Sequence, residues 1–163
     1  MKKLQVAGFL DNSTVNGSGL RSVLFLSGCF HNCPGCHNVD MQDINYGENI
    51  GINEIITRIK GNIPIIEGVT ISGGEPFEQW ENLLPLLQEI KKESLTCWVY
   101  TGYTYSEINS NKNFSKLLPW IDVLVEGPFK EDLLTNDLPY IGSTNQRILL
   151  LSRGNINREL HFN

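Results

Sequence analysis

The sequence predicts an α/β fold, an incomplete, or partial, parallel β/α barrel or open sheet of about five or six strands. Three observations carry that prediction. Short β-branched runs alternate with stretches whose apolar residues recur every three or four positions. The chain has 163 residues, whereas a complete eight-fold barrel takes about 200 or more. Polar, glycine-rich segments follow the apolar runs, and parallel α/β sheets gather their functional loops beyond such strand ends.

The elements follow in order. Leu4–Leu10 reads as a strand; the turn-rich stretch from Asp11 to Gly19 leads to a second, Arg21–Leu26. Ile52, Ile55, Ile56 and Ile59 mark an amphipathic helix, with Gly61 placed to stop it. Gly68–Ser72 is a short strand that runs into Gly73-Gly74-Glu75-Pro76. A second helical pattern passes through Phe77, Trp80, Leu83, Leu84, Leu87 and Ile90, with Pro85 as a kink or a break. Thr96–Thr101 is a strand closed by Gly102, Tyr105–Leu118 is read as helix, and Ile121–Val125 is a further strand ending in Glu126-Gly127-Pro128-Phe129. A turn-rich excursion reaches Tyr140, and Gly142-Ser143-Thr144-Asn145-Gln146 precedes a last strand, Arg147–Leu151. Trp80, Trp98 and Trp120 occupy core-like positions. With 40% apolar residues, residues 1–163 make one domain with its own core.

A formal charge of −5 without any Lys/Arg run argues against a nucleic-acid partner. No apolar run approaches the roughly 20 residues that span a bilayer, so no membrane is expected. The first ten residues superficially resemble a signal peptide, but the run is broken by Gln5 and leads to Asp11-Asn12. A reducing cytoplasm is the expected location, where clustered cysteines are metal ligands more often than disulfides.

Three of the four cysteines, Cys29, Cys33 and Cys36, lie in Cys-x3-Cys-x2-Cys spacing within a Gly-, Pro- and Asn-rich loop. Three converging thiolates can hold three corners of a 4Fe-4S cubane, which ordinarily takes four cysteines. Cys97 lies in an apolar strand pattern and reads as a small buried hydrophobe. One iron is then left open for an exogenous ligand. Zinc is the rival reading, because His31 and His37 flank the cysteines; no second Cys or His pair is present to close such a site. Each His reads more readily as a hydrogen-bonding loop residue than as a ligand. No active carboxylate pair is drawn from the acidic residues, so the chemistry rests on the cluster.

Cys29, Cys33 and Cys36 match the cysteine motif of the radical S-adenosylmethionine (SAM) superfamily, and the wider chain resembles the activating enzymes of anaerobic, class III ribonucleotide reductases. The resemblance lies in Val15–Arg21, Cys33-Pro34-Gly35-Cys36-His37-Asn38, Ser72–Pro76, Trp98–Tyr103, Val125–Phe129 and Gly142–Arg147. Two departures stand out. Asn16-Gly17-Ser18-Gly19 replaces the common Asp-Gly-Pro-Gly, and Gly35 stands where many superfamily members carry an aromatic.

The resemblance implies a partial barrel of the radical SAM type. It implies that SAM chelates the open iron and is cleaved by one electron to methionine and a 5′-deoxyadenosyl radical, which takes a hydrogen from a glycine of a large glycyl radical enzyme subunit, the anaerobic ribonucleotide reductase. The electron would come from an external low-potential donor such as flavodoxin. By the same resemblance Gly73 and Gly74 form the floor under the SAM amino group, and Glu75 pairs with that group or orients the loop. Thr101 and Tyr103 are candidates for the ribose or adenine side, His37 for the adenine, and Asn145, Gln146 and Arg147 for SAM or the partner. Another glycyl radical enzyme or a peptide is the alternative target, and a non-catalytic zinc or iron–sulfur module is the alternative class.

Overall fold

Four parallel strands form the centre of the molecule in its computed structural model, which describes residues 2–36 and 38–162. The strands are β1 (Lys3–Ser13), β2 (Arg21–Leu26), β3 (Glu48–Gly51), β4 (Gly68–Gly73), β5 (Thr96–Tyr100), β6 (Val123–Glu126), β7 (Arg147–Ser152) and β8 (Asn155–Leu160). They make one sheet in the order β3-β1-β2-β4-β5-β6-β7-β8. The pairings β2/β4, β4/β5 and β5/β6 are parallel, with Leu24 opposite Ile71, Ile71 opposite Val99 and Val99 opposite Leu124. Their C-terminal ends therefore share one edge.

The parallel sheet of five or six strands predicted from the sequence needs correction: the described residues form eight strands, and the pairings on either flank are antiparallel. The connections explain the flanks. The stretch between β1 and β2 is too short for a helical crossover, and β7 turns into β8 over Arg153-Gly154, both at positive φ (52° and 83°), as a two-residue hairpin requires. The two strands the sequence pattern misses, β3 and β8, are the sheet's edges. Their polar residues face water, so no hydrophobic alternation marks them.

Helices α1 (Ile52–Lys60), α2 (Trp80–Lys92) and α3 (Tyr105–Ser110) complete the elements. Ile59, Leu83, Leu87 and Ile90 pack with Leu24, Val69, Ile71, Val99 and Leu124 in one buried cluster. Strand alternation turns Trp98, Val123, Val125 and Ile148 into a second, smaller cluster. Trp98 is buried, and Trp80 and Trp120 pack at the edge of the larger cluster. Cys97 is fully buried on β5, and burial pushes its thiol up to about 12.

Pro85 does not split α2, which runs unbroken from Trp80 to Lys92. It forfeits one backbone bond, but Leu83, Leu86, Leu87 and Ile90 around it are all fully buried and hold the helix to the sheet. The irregularity sits earlier, in a 3-10 turn at Pro76–Gln79. The helix read over Tyr105–Leu118 is also shorter than expected. A Thr104/Glu107 capping box starts α3, and Asn111 Oδ1 then accepts from the Asn113 and Phe114 amides, bending the chain into a separate 3-10 turn at Phe114–Trp120.

Candidate cluster and cofactor site

The cysteine loop leaves the C-terminal end of β2 and is tied down at once. The Ser27 amide donates to Gln5 O at 3.1 Å, Gly28 to Met41 O at 2.7 Å and Cys29 to Gln42 O at 3.1 Å. Ser27 Oγ donates to Tyr46 O at 2.7 Å. The segment after the loop thus braces its start.

Cys33-Pro34-Gly35-Cys36 is a β-turn. The Cys36 amide donates to Cys33 O at 3.1 Å, Pro34 fills the second position, and Gly35 has φ 75°. These are the features of a type II turn, whose third position demands positive φ. That geometry accounts for glycine in place of an aromatic residue. The Asn38 amide donates to Cys36 Sγ at 3.4 Å, and Asn38 Nδ2 donates to Gly73 O at 3.3 Å. The loop's end is thereby fastened to β4.

A cavity of about 210 Å³ opens at this edge, lined by Cys29, Cys33, Cys36, Gly73, Gly74 and Thr101 among others. Three of the four strand-end segments singled out in the sequence contribute through these residues, and the fourth through Gly127. Gly73 has φ 106°, and a Cβ there would stand 2.3 Å from Leu26 O; one on Gly74 would stand 2.6 Å from Met41 O. No larger residue fits either position. The bare backbone they present to the cavity follows from packing against the β2 end and the cysteine loop.

Glu75 is fully buried, and its carboxylate is surrounded by donors. Oε1 accepts from His31 Nε2 at 2.7 Å, Thr101 Oγ1 at 2.8 Å and the Gly102 amide at 2.8 Å; Oε2 accepts from the Phe77 amide at 3.0 Å. This hydrogen bond to Glu75 raises the His31 pKa against the opposing effect of burial. Burial, followed by the hydrogen bond from the His31 region that opposes it and then by the Glu75 charge, leaves the Cys29 thiol pushed up to about 11. A metal ion taken by the Cys29 sulfur would therefore displace a proton near neutral pH.

The other sequence candidates separate. Tyr103 is outside the cavity wall; its hydroxyl donates to Glu78 and its ring meets the His31 ring edge-on at 4.5 Å. Asn145 also lies outside the wall: Nδ2 donates to Pro128 O at 2.8 Å, while Oδ1 is buried without a partner among the described residues. Gln146 does line the cavity, donating to Gly127 O at 3.0 Å and accepting from the Gly142 amide at 2.8 Å. Arg147 turns away to Glu126 at 2.8 Å. His37 lies outside the described residues. Tyr100 and Tyr140 line the cavity without having been given a role from sequence; the alternation of Cys97 and Val99 with Trp98 and Tyr100 was the available signal for the first.

Among the described residues, no three Cys, His, Asp or Glu side chains close on a point as one metal ion requires. The three thiols instead ring a shared space. That arrangement fits ligands on separate irons of a cubane, and the one described imidazole on the same wall, His31, is engaged through Nε2 by Glu75.

The anaerobic ribonucleoside-triphosphate reductase-activating protein of Haemophilus influenzae is 35% identical over 147 residues, covering 86% of this chain and 94% of that protein. This chain belongs to the family of anaerobic ribonucleoside-triphosphate reductase-activating proteins. The members from Escherichia coli K12 (38% over 144 residues, 81% and 89% of the two chains) and Pasteurella multocida (35% over 150 residues, 86% and 93%) are similar. A family model described as "4Fe-4S single cluster domain" matches residues 15–149. The match spans the cysteine loop, the Gly73–Glu75 strand end and the Asn145–Gln146 segment.

Proposed function

We propose that this chain is a radical SAM activating enzyme that generates a glycyl radical on anaerobic ribonucleoside-triphosphate reductase. The observation that carries this reading is the cavity where three free thiols face the Gly73-Gly74 backbone at the ends of parallel strands. Cys29, Cys33 and Cys36 hold a 4Fe-4S cluster whose remaining iron takes the amino and carboxylate groups of SAM. When bound, the cluster supplies the low-potential electron that splits the SAM sulfonium.

The chain's own residues position and enclose. Gly73 and Gly74 let backbone approach the SAM amino group, Glu75 orients the loop, and Thr101 lies toward the ribose. Gln146 lines the wall, Tyr103 packs outside it against the His31 ring, Asn145 is held outside it by Pro128, and His37, next to Cys36 in sequence, belongs to the adenine side. Helices cover one face of the sheet, and the cavity lies at its C-terminal edge; this supports a partial barrel of the radical SAM type spanning residues 1–163, open to a partner's glycine segment. The names of the relatives support the reductase as that partner. Four free cysteines and the demand for a low-potential donor, such as flavodoxin, suit the cytoplasm. No helix among the described residues is long and apolar enough to cross a membrane.

The test is anaerobic reconstitution with iron and sulfide, reduction, and addition of SAM and an anaerobic reductase. Methionine and 5′-deoxyadenosine are expected in equal amounts, with a glycyl doublet in the electron paramagnetic resonance spectrum. Zinc uptake without cluster or SAM cleavage would overturn the enzyme reading; cleavage without the doublet would move the target to another glycyl radical enzyme or a peptide.

A further inference from the structure

Glu75 is a fully buried carboxylate whose one ion-pair partner among the described residues is His31. Its charge is met by four donors from three places. His31 comes from the middle of the cysteine loop, Thr101 and the Gly102 amide from the end of β5, and the Phe77 amide from the turn after β4. A carboxylate offers about four lone-pair directions, and both oxygens are engaged; Glu75 is also absent from the cavity wall. Neither oxygen is presented to a ligand's ammonium in the cavity.

His31 stands between Cys29 and Cys33 and fits a made slot. Its ring lies edge-on to Tyr103 at 4.5 Å, and a Cβ on Gly102 would stand 2.8 Å from the His31 ring. Tyr103 is held in turn by Glu78 through its hydroxyl and by Phe114 at 5.2 Å between ring centroids. The cysteine loop is thus plugged into the β4 and β5 ends by one imidazole, and the socket is built around the Glu75 carboxylate.

We propose that His31 and Glu75 form a positioning pair. They fix the path of the chain between Cys29 and Cys33, and with it the placement of those thiolates over the Gly73-Gly74 floor. Glu75 acts on the reaction through His31 and makes no contact with SAM. The proposal rests on the cluster reading above and assigns the third residue of the Gly-Gly-Glu segment a different task from ligand binding.

The test compares Glu75→Gln, His31→Ala and His31→Gln, the last keeping an N–H donor of similar reach. Loss of outer-shell partners of metal ligands typically costs about 10- to 100-fold in metal affinity or activity. Glu75→Gln and His31→Ala should share a kcat for SAM cleavage lowered by that order, the same altered resonance line shape of the reduced cluster, and a SAM KM within about threefold of wild type. His31→Gln should restore most of both. In the metal-free protein, hydrogen exchange at amides 29–33 should rise in Glu75→Gln and His31→Ala and fall back in His31→Gln. A KM raised about tenfold or more by Glu75→Gln, with His31→Ala silent and the line shape unchanged, would show that the carboxylate binds SAM directly. Unchanged exchange in the metal-free variants would overturn the pair even where no cluster loads. A wild-type protein that neither loads a cluster nor cleaves SAM refutes the enzyme reading instead, and the exchange experiment still decides this one.

Discussion

At the scale of single residues, the four cysteines divide by environment. Cys29, Cys33 and Cys36 are partly exposed on a loop at the cavity, and Cys97 is sealed in the core. Replacing any of the first three by Ala should abolish cluster loading, measured as iron and sulfide bound after reconstitution. Cys97→Ala should load a full cluster and lose only about 1 kcal/mol in urea unfolding, the scale expected for removing a small buried group. Gly35 offers a second separation of roles. Ala at φ 75° is strained by about 1–2 kcal/mol, and its Cβ would stand 2.9 Å from the Glu131 carboxyl carbon. Gly35→Ala should therefore retain the fold by circular dichroism but hold its cluster more weakly, read as faster bleaching by a chelator. The gathering of three cysteines in one loop and the burial of the fourth were legible in the sequence because spacing and strand pattern bear on them directly. The Glu75 carboxylate's burial was not legible, since it depends on donors brought from residues 31, 101 and 102.

At the scale of elements, the segment from Val15 to Arg21, at the start of β2, turns out to be a brace. Arg21 is buried at the N-terminal edge, away from the cysteines. It donates to Thr70 Oγ1 at 2.9 Å, Thr96 Oγ1 at 2.9 Å and the carbonyls of Ser18, Val69 and Thr96 at 3.2, 3.0 and 2.8 Å. Burial lowers its pKa, yet guanidinium stays charged. Thr70 Oγ1 in turn donates to Asn16 O at 2.5 Å. Lysine cannot reproduce this fork, and hydrogen bonds to a charged group contribute about 1.5–3 kcal/mol each. Arg21→Lys should lower unfolding free energy by about 2–4 kcal/mol in urea, while whatever protein remains folded loads its cluster normally. Elsewhere the elements were readable where one face is buried, as in α1 and the central strands. They were misread where local side chains decide: Asn111 ending a helix, Arg153-Gly154 starting a hairpin, and the polar edges β3 and β8, whose pairing partners no periodicity announces.

At the scale of the whole molecule, stability and chemistry occupy different parts of one sheet. The larger core cluster runs from Leu4 to Leu151 and draws on every central strand and all three helices; none of its members is a cysteine of the loop. Among the described residues, the loop from Ser27 to Tyr46 contributes none to either cluster, and Phe30 within it is 73% exposed. Ligands that bind one state lower the free energy of whatever part they order, and segments with few buried apolar contacts open most easily. Removing the cluster should accordingly loosen the loop and leave the sheet intact. Hydrogen exchange followed by mass spectrometry should show faster exchange across residues 27–46 after chelation under anaerobic conditions, with β4, β5 and α2 unchanged and the far-ultraviolet circular dichroism preserved. Rapid exchange throughout β4 and β5 in the metal-free protein would mean instead that the cluster holds the core together, and that the separation drawn from burial does not describe how this fold is stabilised.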